Sequence, residues 1–536
     1  MPKIVNLSQD KSNDSPLRDK LILIVFGLSG LTALVYEIIW IRPLSLVFGT
    51  TTYAVSIIIA AFLSGLALGS WIAGRFSDKV ENPLKIYGFI EIGIGLYGLM
   101  LISLFSALPG IYLGLYQSTF PNLGVFYVLQ FILAFVIILI PTTLMGATLP
   151  MIMKSYSRKF SDIGKDIGKI YSVNNIGAVI GTLAAGFVLM PLLGIQASIT
   201  IVAILNIGIG IVVLVASKSK NVKKILGIVI IVVIASSFSV YDYKLMQFGI
   251  PYYTNTEITM EFVNSFVESQ EVLFHKESMY SSVSVVSFDD GSKIMKISGK
   301  NQCSNSPSVV EGMNRLGYIG YDLYKHNFND EPSNALNIGL GCGYTSKWLG
   351  ENVDTTTIEI DPVIIDASKL FVENIKHDLV TDDARNWLTR NTEKFDLISL
   401  QPSDPFTGWY LYTSEFFLLL DNSLTKNGIV VLWVPVFEMT ENDFHVLFNT
   451  FNSIFPYVHI YQQEEGSAQL MFIGSQNELE IIEKNLYIVS EKQVPYVKTP
   501  LNTDDRPVLE FSTALNLYDK NPVPLFEKFK DWSLNN

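Results

Sequence analysis

The sequence predicts a multi-pass α-helical membrane domain followed by a small β-domain and a Rossmann-like α/β domain. Three observations lead there. Long apolar stretches crowd residues 21–240, an alternating segment broken at Asp290-Gly291 follows, and an apolar run from Ala335 to Ile338 then opens into Gly339, Gly341 and Gly343. After the glycines a helical pattern runs from Tyr344 to Leu349, which makes strand, turn, helix. Glycines there allow backbone conformations, and a close ligand approach, that a side chain would forbid. A second apolar strand, Thr355 to Ile360, carries Glu359 near its carboxyl end, where a nucleoside-binding sheet places an acid for ribose hydroxyls.

Residues 1–20 form a polar amino-terminal segment without the small-residue cleavage site of a signal peptide. Seven apolar stretches follow: Leu21 to Ile41, Ala54 to Ala73, Ile86 to Leu108, Val125 to Leu149, Val173 to Leu193, Ile199 to Ala216 and Ile225 to Val240. The first five reach the roughly 20 residues a helix needs to cross a bilayer, and the last is short. Lys and Arg concentrate in alternate connections: the amino terminus, the turn with Arg75, Lys79 and Lys85, the turn with Lys154, Arg158, Lys159, Lys165 and Lys169, and the turn with Lys218, Lys220, Lys223 and Lys224. The other side has only Arg42. Basic connections stay cytoplasmic, so the amino terminus is expected inside an inner (plasma) membrane of bacterial type. A true seventh crossing would put the carboxyl-terminal domain outside, against any cytosolic cosubstrate, so either Ile225 to Val240 is a re-entrant or interfacial element or the nucleoside reaches its site through the membrane domain, and the sequence leaves the side open. Glu37 near Arg42, Glu91, and the pair Asn174 and Asn175 are costly in an apolar stretch; they read as structural pairs and helix-helix hydrogen bonds, or as a polar vestibule. Gly65, Gly69, Gly177, Gly181 and Gly186 suit tight helix packing.

Residues 241–271 read as a linker or membrane-surface collar, 272–330 as the small β-domain with its connecting helix, and 331–536 as the Rossmann-like domain. A net charge of -12 without a basic stripe argues against a nucleic-acid binder. Cys303 and Cys342 are the two cysteines; they rule out a disulfide framework, lie in no metal-ligand spacing, and sit too far apart in sequence to suggest a redox pair. The five histidines are scattered, so no metal is expected.

NIGLGCG, the EIDP at Glu359 to Pro362, the DDAR at Asp382 to Arg385, the SDPF at Ser403 to Phe406 followed by YTSEFF, and the late TDDRPVLEF at Thr503 to Phe511 resemble polyamine aminopropyltransferases, the spermidine synthases. The amino-terminal half is similar to the membrane region found fused to such domains. The resemblance implies a sulfonium nucleoside substrate, S-adenosylmethionine or its decarboxylated form, with no further cofactor and no metal. It implies that Glu359 binds the ribose hydroxyls, that Asp383 and Ala384 sit at the adenine amino edge, that Gly339, Gly341 and Gly343 line the nucleoside, and that Gln302 reaches its amino-acid tail. Asp404 matches the second acid of the family's active-site loop. The family commonly pairs its soluble domains, which leaves a homodimer open.

Two departures shape the expected chemistry. The family's active-site loop begins with an aspartate that deprotonates the incoming amine, and here Gln401 stands there. The glycine turn of the family carries an aspartate for the aminopropyl ammonium, and here Cys342 replaces it. Ser306-Pro307-Ser308 likewise stands where the family usually has acids for the polyamine. Loss of acids from the acceptor end predicts an intramolecular displacement: bound S-adenosylmethionine closes a ring on itself and releases methylthioadenosine, a cyclotransferase or lyase outcome. Gln401 and Asp404 would orient the tail, and Tyr410 and Tyr412 would close the pocket. The alternative is aminopropyl transfer from decarboxylated S-adenosylmethionine to a polyamine; the non-enzyme alternative is a nucleoside-sensing membrane protein or transporter.

Overall fold

The protein's structure, a computed structural model, is described for residues 16–49, 51–157, 160–219, 222–236, 240–253, 258–403, 405–462, 469–482, 488–490 and 492–516. Asp404, Arg158, Lys159 and Lys220 lie outside these residues. The chain divides into two compact units, one made of residues 1–44, 56–108 and 124–242 and the other of 45–55, 109–123 and 243–536.

The first unit is built from most of helices α1 (Pro16–Phe48), α2 (Thr52–Ser77), α3 (Pro83–Thr119) and α4 (Leu123–Tyr156), whose residues 45–55 and 109–123 fall in the second, and from α5 (Ile163–Ala184), α6 (Met190–Ala216) and α7 (Val222–Ser236). Five helical runs are long and apolar enough to cross a membrane: Pro16–Phe48, Thr52–Ser77, Pro83–Thr119, Gly124–Tyr156 and Ile163–Ala216. The last contains both α5 and α6, joined by a turn of π-helix at Ala185–Leu189 and broken at Gly194, whose φ of 74° leaves the helix. Gly194 falls between the fifth and sixth expected stretches, so this run is two helices that meet at a break, as the sequence separated them. At 15 residues, α7 falls short of that class.

Close helix approach explains most of the glycines. A Cβ on Gly177 would stand 1.9 Å from the Gly27 carbonyl oxygen, and one on Gly65 1.8 Å from Thr142 Oγ1. Gly186 differs from the expectation, since a Cβ there meets nothing within 4 Å. Glu91 is fully buried and is held between helices: Ser29 Oγ of α1 donates to its Oε1 at 2.5 Å, and Asn206 Nδ2 of α6 to its Oε2 at 2.6 Å. A buried carboxylate needs such partners to offset its lost hydration.

The second unit continues through short helices α8 (Tyr243–Met246), α9 (Ile250–Tyr253) and α10 (Met260–Glu268). An antiparallel sheet in the order β1-β2-β3-β4 follows, made of β1 (Glu271–Glu277), β2 (Ser282–Ser287), β3 (Lys293–Ile297) and β4 (Lys300–Ser304). Its β2-β3 hairpin turns at Asp290-Gly291, where Gly291 has a φ of 80° and donates to the Phe288 carbonyl at 2.9 Å. Helix α11 (Pro307–Phe328) leads into the larger sheet.

That sheet alternates strand and helix: β5 (Asn334–Ile338), α12 (Tyr344–Asn352), β6 (Asp354–Glu359), α13 (Pro362–Ser368), β7 (Asp378–Thr381), α14 (Ala384–Arg390), β8 (Phe395–Leu400), α15 (Ser414–Asn422) and β9 (Leu424–Pro435). It then closes with α16 (Glu441–Asn452), β10 (Tyr457–Gln462), β11 (Gln469–Ser475), β12 (Ile488–Ser490) and α17 (Val508–Asn516). The strand order is β12-β10-β11-β9-β8-β5-β6-β7, parallel from β9 to β7 and antiparallel beyond β9. The chain winds outward from β5 in one direction and returns through β8 in the other, so β5 and β8 flank a topological switch point.

One core joins the small sheet to the glycine turn. Val283, Val285, Met295 and Cys303 pack with Leu340, Cys342, Val363, Ile364 and Ala367. Within it, contrary to the sequence expectation, Cys303 and Cys342 form a disulfide, with their Cα atoms 6.1 Å apart. Sequence spacing hid the pair because it is made by docking β4 against the turn after β5. Closing a loop over a sequence separation of 39 stabilises by about 4 kcal/mol in the chain-entropy view.

Lys296 of β3 is buried, with its ammonium 5.7 Å from the Phe248 ring and 5.8 Å from the Phe266 ring. Burial pulls its pKa down to about 8. The folded state therefore binds this proton less tightly than the unfolded chain, which holds it to about pH 10.4. Stability should rise with pH between about 8 and 10.4 by on the order of 3 kcal/mol. Lys296→Met should remove that rise, read by thermal unfolding of the solubilised protein across the interval; an unchanged pH dependence would refute the assignment.

Candidate active site

The carboxyl ends of β5, β6, β7 and β8 deliver four groups to one edge of the sheet. After β5 the chain passes through Gly339, Gly341 and Gly343, with φ of 87°, 52° and 87°, a path that strongly favours glycine at each step. A Cβ on Gly339 would also approach the Gln401 carbonyl oxygen to 3.1 Å. The turn is fastened on both sides: Gly339 N–H donates to the Ile358 carbonyl of β6 at 2.9 Å, and Gln401 N–H, just past β8, donates to the Ile338 carbonyl at 3.1 Å.

Glu359 ends β6. Its Oε2 accepts from Leu340 N–H inside the glycine turn at 2.9 Å, and its Oε1 accepts from Asp361 N–H at 3.0 Å. Burial pushes this carboxyl up, while the two backbone donors pull it back. Each oxygen keeps a further lone pair, so the carboxylate can accept from a diol while staying locked to the turn. Asp383, after β7, caps α14 by accepting from Asn386 N–H at 2.9 Å, and Ala384 is the first, buried residue of that helix.

Gln401 brings its backbone against Gly339, and Gln302 lies on β4 beside Cys303, partly buried. Cys342 is fully buried in the disulfide, so it offers neither charge nor free thiol. The remaining aromatic pair separates in role. Tyr410 is partly exposed, and after burial it is the charges of Asp383 and Glu359 that push its phenol up, against Arg385. The phenol therefore keeps its proton at neutral pH, within reach of the field of those two acids. Tyr412 is instead wholly buried in the sheet core and donates to the Ser403 carbonyl at 3.0 Å. The expectation that it closes the pocket is corrected: it pins the loop backbone from below.

Several groups escaped the sequence reading. Asp361 accepts from Ser278 Oγ at 2.6 Å and Ser281 Oγ at 2.8 Å, tying the β1-β2 turn to the start of α13. Tyr280 in that turn acts electrostatically on Tyr410. Arg385 holds Asp504 with both guanidinium nitrogens, at 2.8 and 2.6 Å, and also donates to the Tyr410 carbonyl at 2.9 Å. Arg385 thereby keeps the Asp504 carboxyl below the usual range. Asn502 Nδ2 donates to the Tyr412 carbonyl at 2.9 Å, and its Oδ1 accepts from Leu509 N–H at 3.1 Å. The carboxyl-terminal TDDRPVLEF motif thus straps the loop between β8 and α15. Both motifs were visible as strings, but a contact across 119 residues carries no local signal. Among the described residues no group of three or more His, Cys, Asp or Glu is placed to hold a metal ion.

Glu359→Ala removes the charged acceptor proposed for a ribose hydroxyl, a hydrogen bond worth about 1.5–3 kcal/mol. It should weaken binding of an adenosine sulfonium roughly tenfold to a hundredfold by calorimetry, and unchanged affinity would show that the acid does not grip the sugar. Asp504→Asn breaks the paired contact with Arg385 without touching the turn. It should lower turnover several-fold with nucleoside affinity preserved, whereas a loss confined to affinity would contradict a strap on the loop.

The family model for the spermine/spermidine synthase domain matches residues 321–467. A polyamine aminopropyltransferase of Buchnera aphidicola is 34% identical over 210 residues, covering 36% of this chain and 70% of that protein. A polyamine aminopropyltransferase of Leptospira interrogans is 23% identical over 420 residues, 74% of this chain and 75% of the relative. One of Oceanobacillus iheyensis is 22% identical over 444 residues, 79% and 80% of the two chains. The last two matches are too long to be confined to the nucleotide-binding half. With its glycine turn, strand-end acid and small preceding sheet, the chain belongs to the polyamine aminopropyltransferase family, the spermidine synthase-like proteins.

Proposed function

We propose that the protein is an aminopropyltransferase, moving the alkyl arm of a sulfonium nucleoside, decarboxylated S-adenosylmethionine, onto an amine. The observation that carries this reading is the gathering of the glycine turn, Glu359 and Asp383 at the β5-β8 switch point, in a chain of this family. In the reaction the amine lone pair forms a C–N bond to the carbon beside sulfur, the C–S bond breaks toward sulfur, methylthioadenosine leaves, and the amine releases a proton. The sulfonium is already activated, so the protein's contribution is mainly alignment. Glu359 would hold the ribose, Asp383 and Ala384 the adenine edge, and the protonated Tyr410 would donate within the pocket. Gln401 cannot take the amine's proton, which leaves that step to Asp404 or water. The five long apolar runs support a membrane-embedded first unit.

One observation favours a second reading, the ring-closing displacement within S-adenosylmethionine. Cys342 is sealed in a disulfide and Gln401 is neutral, so two positions where the family has acids carry no charge. The family relationship weighs more heavily and places amine-directed transfer first.

Product analysis of the purified protein separates the two. Decarboxylated S-adenosylmethionine with putrescine should release methylthioadenosine and an aminopropylated amine, while S-adenosylmethionine alone should release none. Methylthioadenosine from S-adenosylmethionine without any amine would overturn the transferase in favour of ring closure, and binding without product from either nucleoside would overturn both. Gln401→Asp should raise the rate with amine acceptors by roughly tenfold or more, within the range of a positioned general base; a fall would argue that the amide orients substrate in its own right.

A further inference from the structure

Two independent features bear on which face of the membrane the nucleoside unit occupies. The first lies in the helical unit's own hydrogen bonds. At one end Lys154 of α4 donates to the Asp78 carbonyl beyond α2 at 2.7 Å, Arg18 of α1 reaches the Ser155 carbonyl at 3.5 Å, and Ser157 donates to Asp166 of α5 at 2.9 Å. This end also carries Lys20, Arg75, Lys79, Lys85, Lys165 and Lys169. The chain leaves α7 at the other end. Ser106 Oγ donates to the Val240 carbonyl at 3.1 Å and accepts from Asp242 N–H at 3.0 Å, and Tyr241 N–H donates to Gln196 Oε1 at 3.0 Å. Ser106 stands about 35 Å along α3 from Pro83, at 1.5 Å per residue, more than the hydrocarbon thickness of a bilayer.

Short as it is, α7 therefore returns the chain from the Lys218, Lys223 and Lys224 end to the far end. The turns at that far end, residues 45–55, 109–123 and 185–198, contain no Lys or Arg. Since basic turns are retained in the cytoplasm, the far end faces away from it.

The second feature is chemical. The two cysteines of the chain are joined, in the core beneath the glycine turn. A structural disulfide persists in oxidising compartments and is rare where cytosolic thiols keep cysteines reduced. Forming it takes two electrons and two protons from the thiol pair, which pass to a protein disulfide oxidant of the non-cytoplasmic space. Helix count and cysteine chemistry thus agree without sharing a residue.

We propose that α7 is a true crossing and that the nucleoside unit works on the non-cytoplasmic face of the membrane, with its glycine turn covalently held by Cys303–Cys342. Taken with the function proposed above, the sulfonium nucleoside reaches the site only after an export or release step has carried it out of the cytoplasm, and methylthioadenosine is shed on the same outer side. The topological part stands whether or not that function does, because its test reads no activity.

The full chain in right-side-out vesicles supplies that test. Protein quenched in acid, denatured and treated with a mass-tagged maleimide should carry no tag without reductant and two tags after reduction. Lys369→Cys, at an exposed position on the nucleoside unit, introduces one free thiol beside the tied pair. A membrane-impermeant maleimide should label it in sealed right-side-out vesicles at least about tenfold more than Lys79→Cys, with the ratio reversed in inside-out vesicles. Free Cys303 and Cys342 thiols in the acid-quenched protein, or labelling of Lys369→Cys only after permeabilisation, would overturn the proposal.

Discussion

The hydrogen bond from Leu340 N–H to the Glu359 carboxylate is the constraint on which the site depends. It joins the turn after β5 to the end of β6, so the residue expected to grip the sugar also sets the shape of the bend proposed to face the nucleoside. A carboxylate removed from water gains most from such a partner, and the partner is a backbone N–H that survives every substitution at Leu340 except proline. The three positive-φ glycines make the bend sterically possible. The anchor at Glu359 makes it a single conformation.

Around that pair, three layers of support converge from distant parts of the chain. From the small sheet, Ser278 and Ser281 fix Asp361 and Cys303 bonds to Cys342. From the carboxyl terminus, Asn502 and Asp504 hold the loop between β8 and α15 through the Tyr412 carbonyl and Arg385. From beneath, Tyr412 fills the core and steadies Ser403. The nucleoside half of the site is thus rigidly supplied. At the two positions where the family resemblance leads one to expect acids, the chain carries an amide, Gln401, and a cysteine tied in a disulfide, Cys342; neither brings a charge to the site, and neither disturbs the fold of the glycine turn.

The disulfide also connects chemistry to cell biology. A cysteine pair buried in a continuous apolar core is a structural element of the turn, and its oxidation state belongs to a compartment. The proposed outward face of the nucleoside unit rests on the basic end of the helical unit and the exit of the chain beside Ser106 through lipid electrostatics, and on the disulfide through redox chemistry.

What the sequence determined by itself was local. Hydropathy marked the apolar helices, alternation around Asp290-Gly291 marked the hairpin, and the glycine spacing with Glu359 marked the strand-turn-helix at the site, because each of these signals is carried by neighbours in the chain. It also separated the fifth and sixth apolar stretches, between which the chain breaks at Gly194. Tertiary structure alone decided the rest. It paired Cys303 with Cys342, buried Tyr412 while leaving Tyr410 beside the acids, strapped Arg385 to Asp504, and brought Val240 back to Ser106. Each of those outcomes is a contact between residues far apart in sequence, and such a contact exists only once packed elements fix which side chains meet.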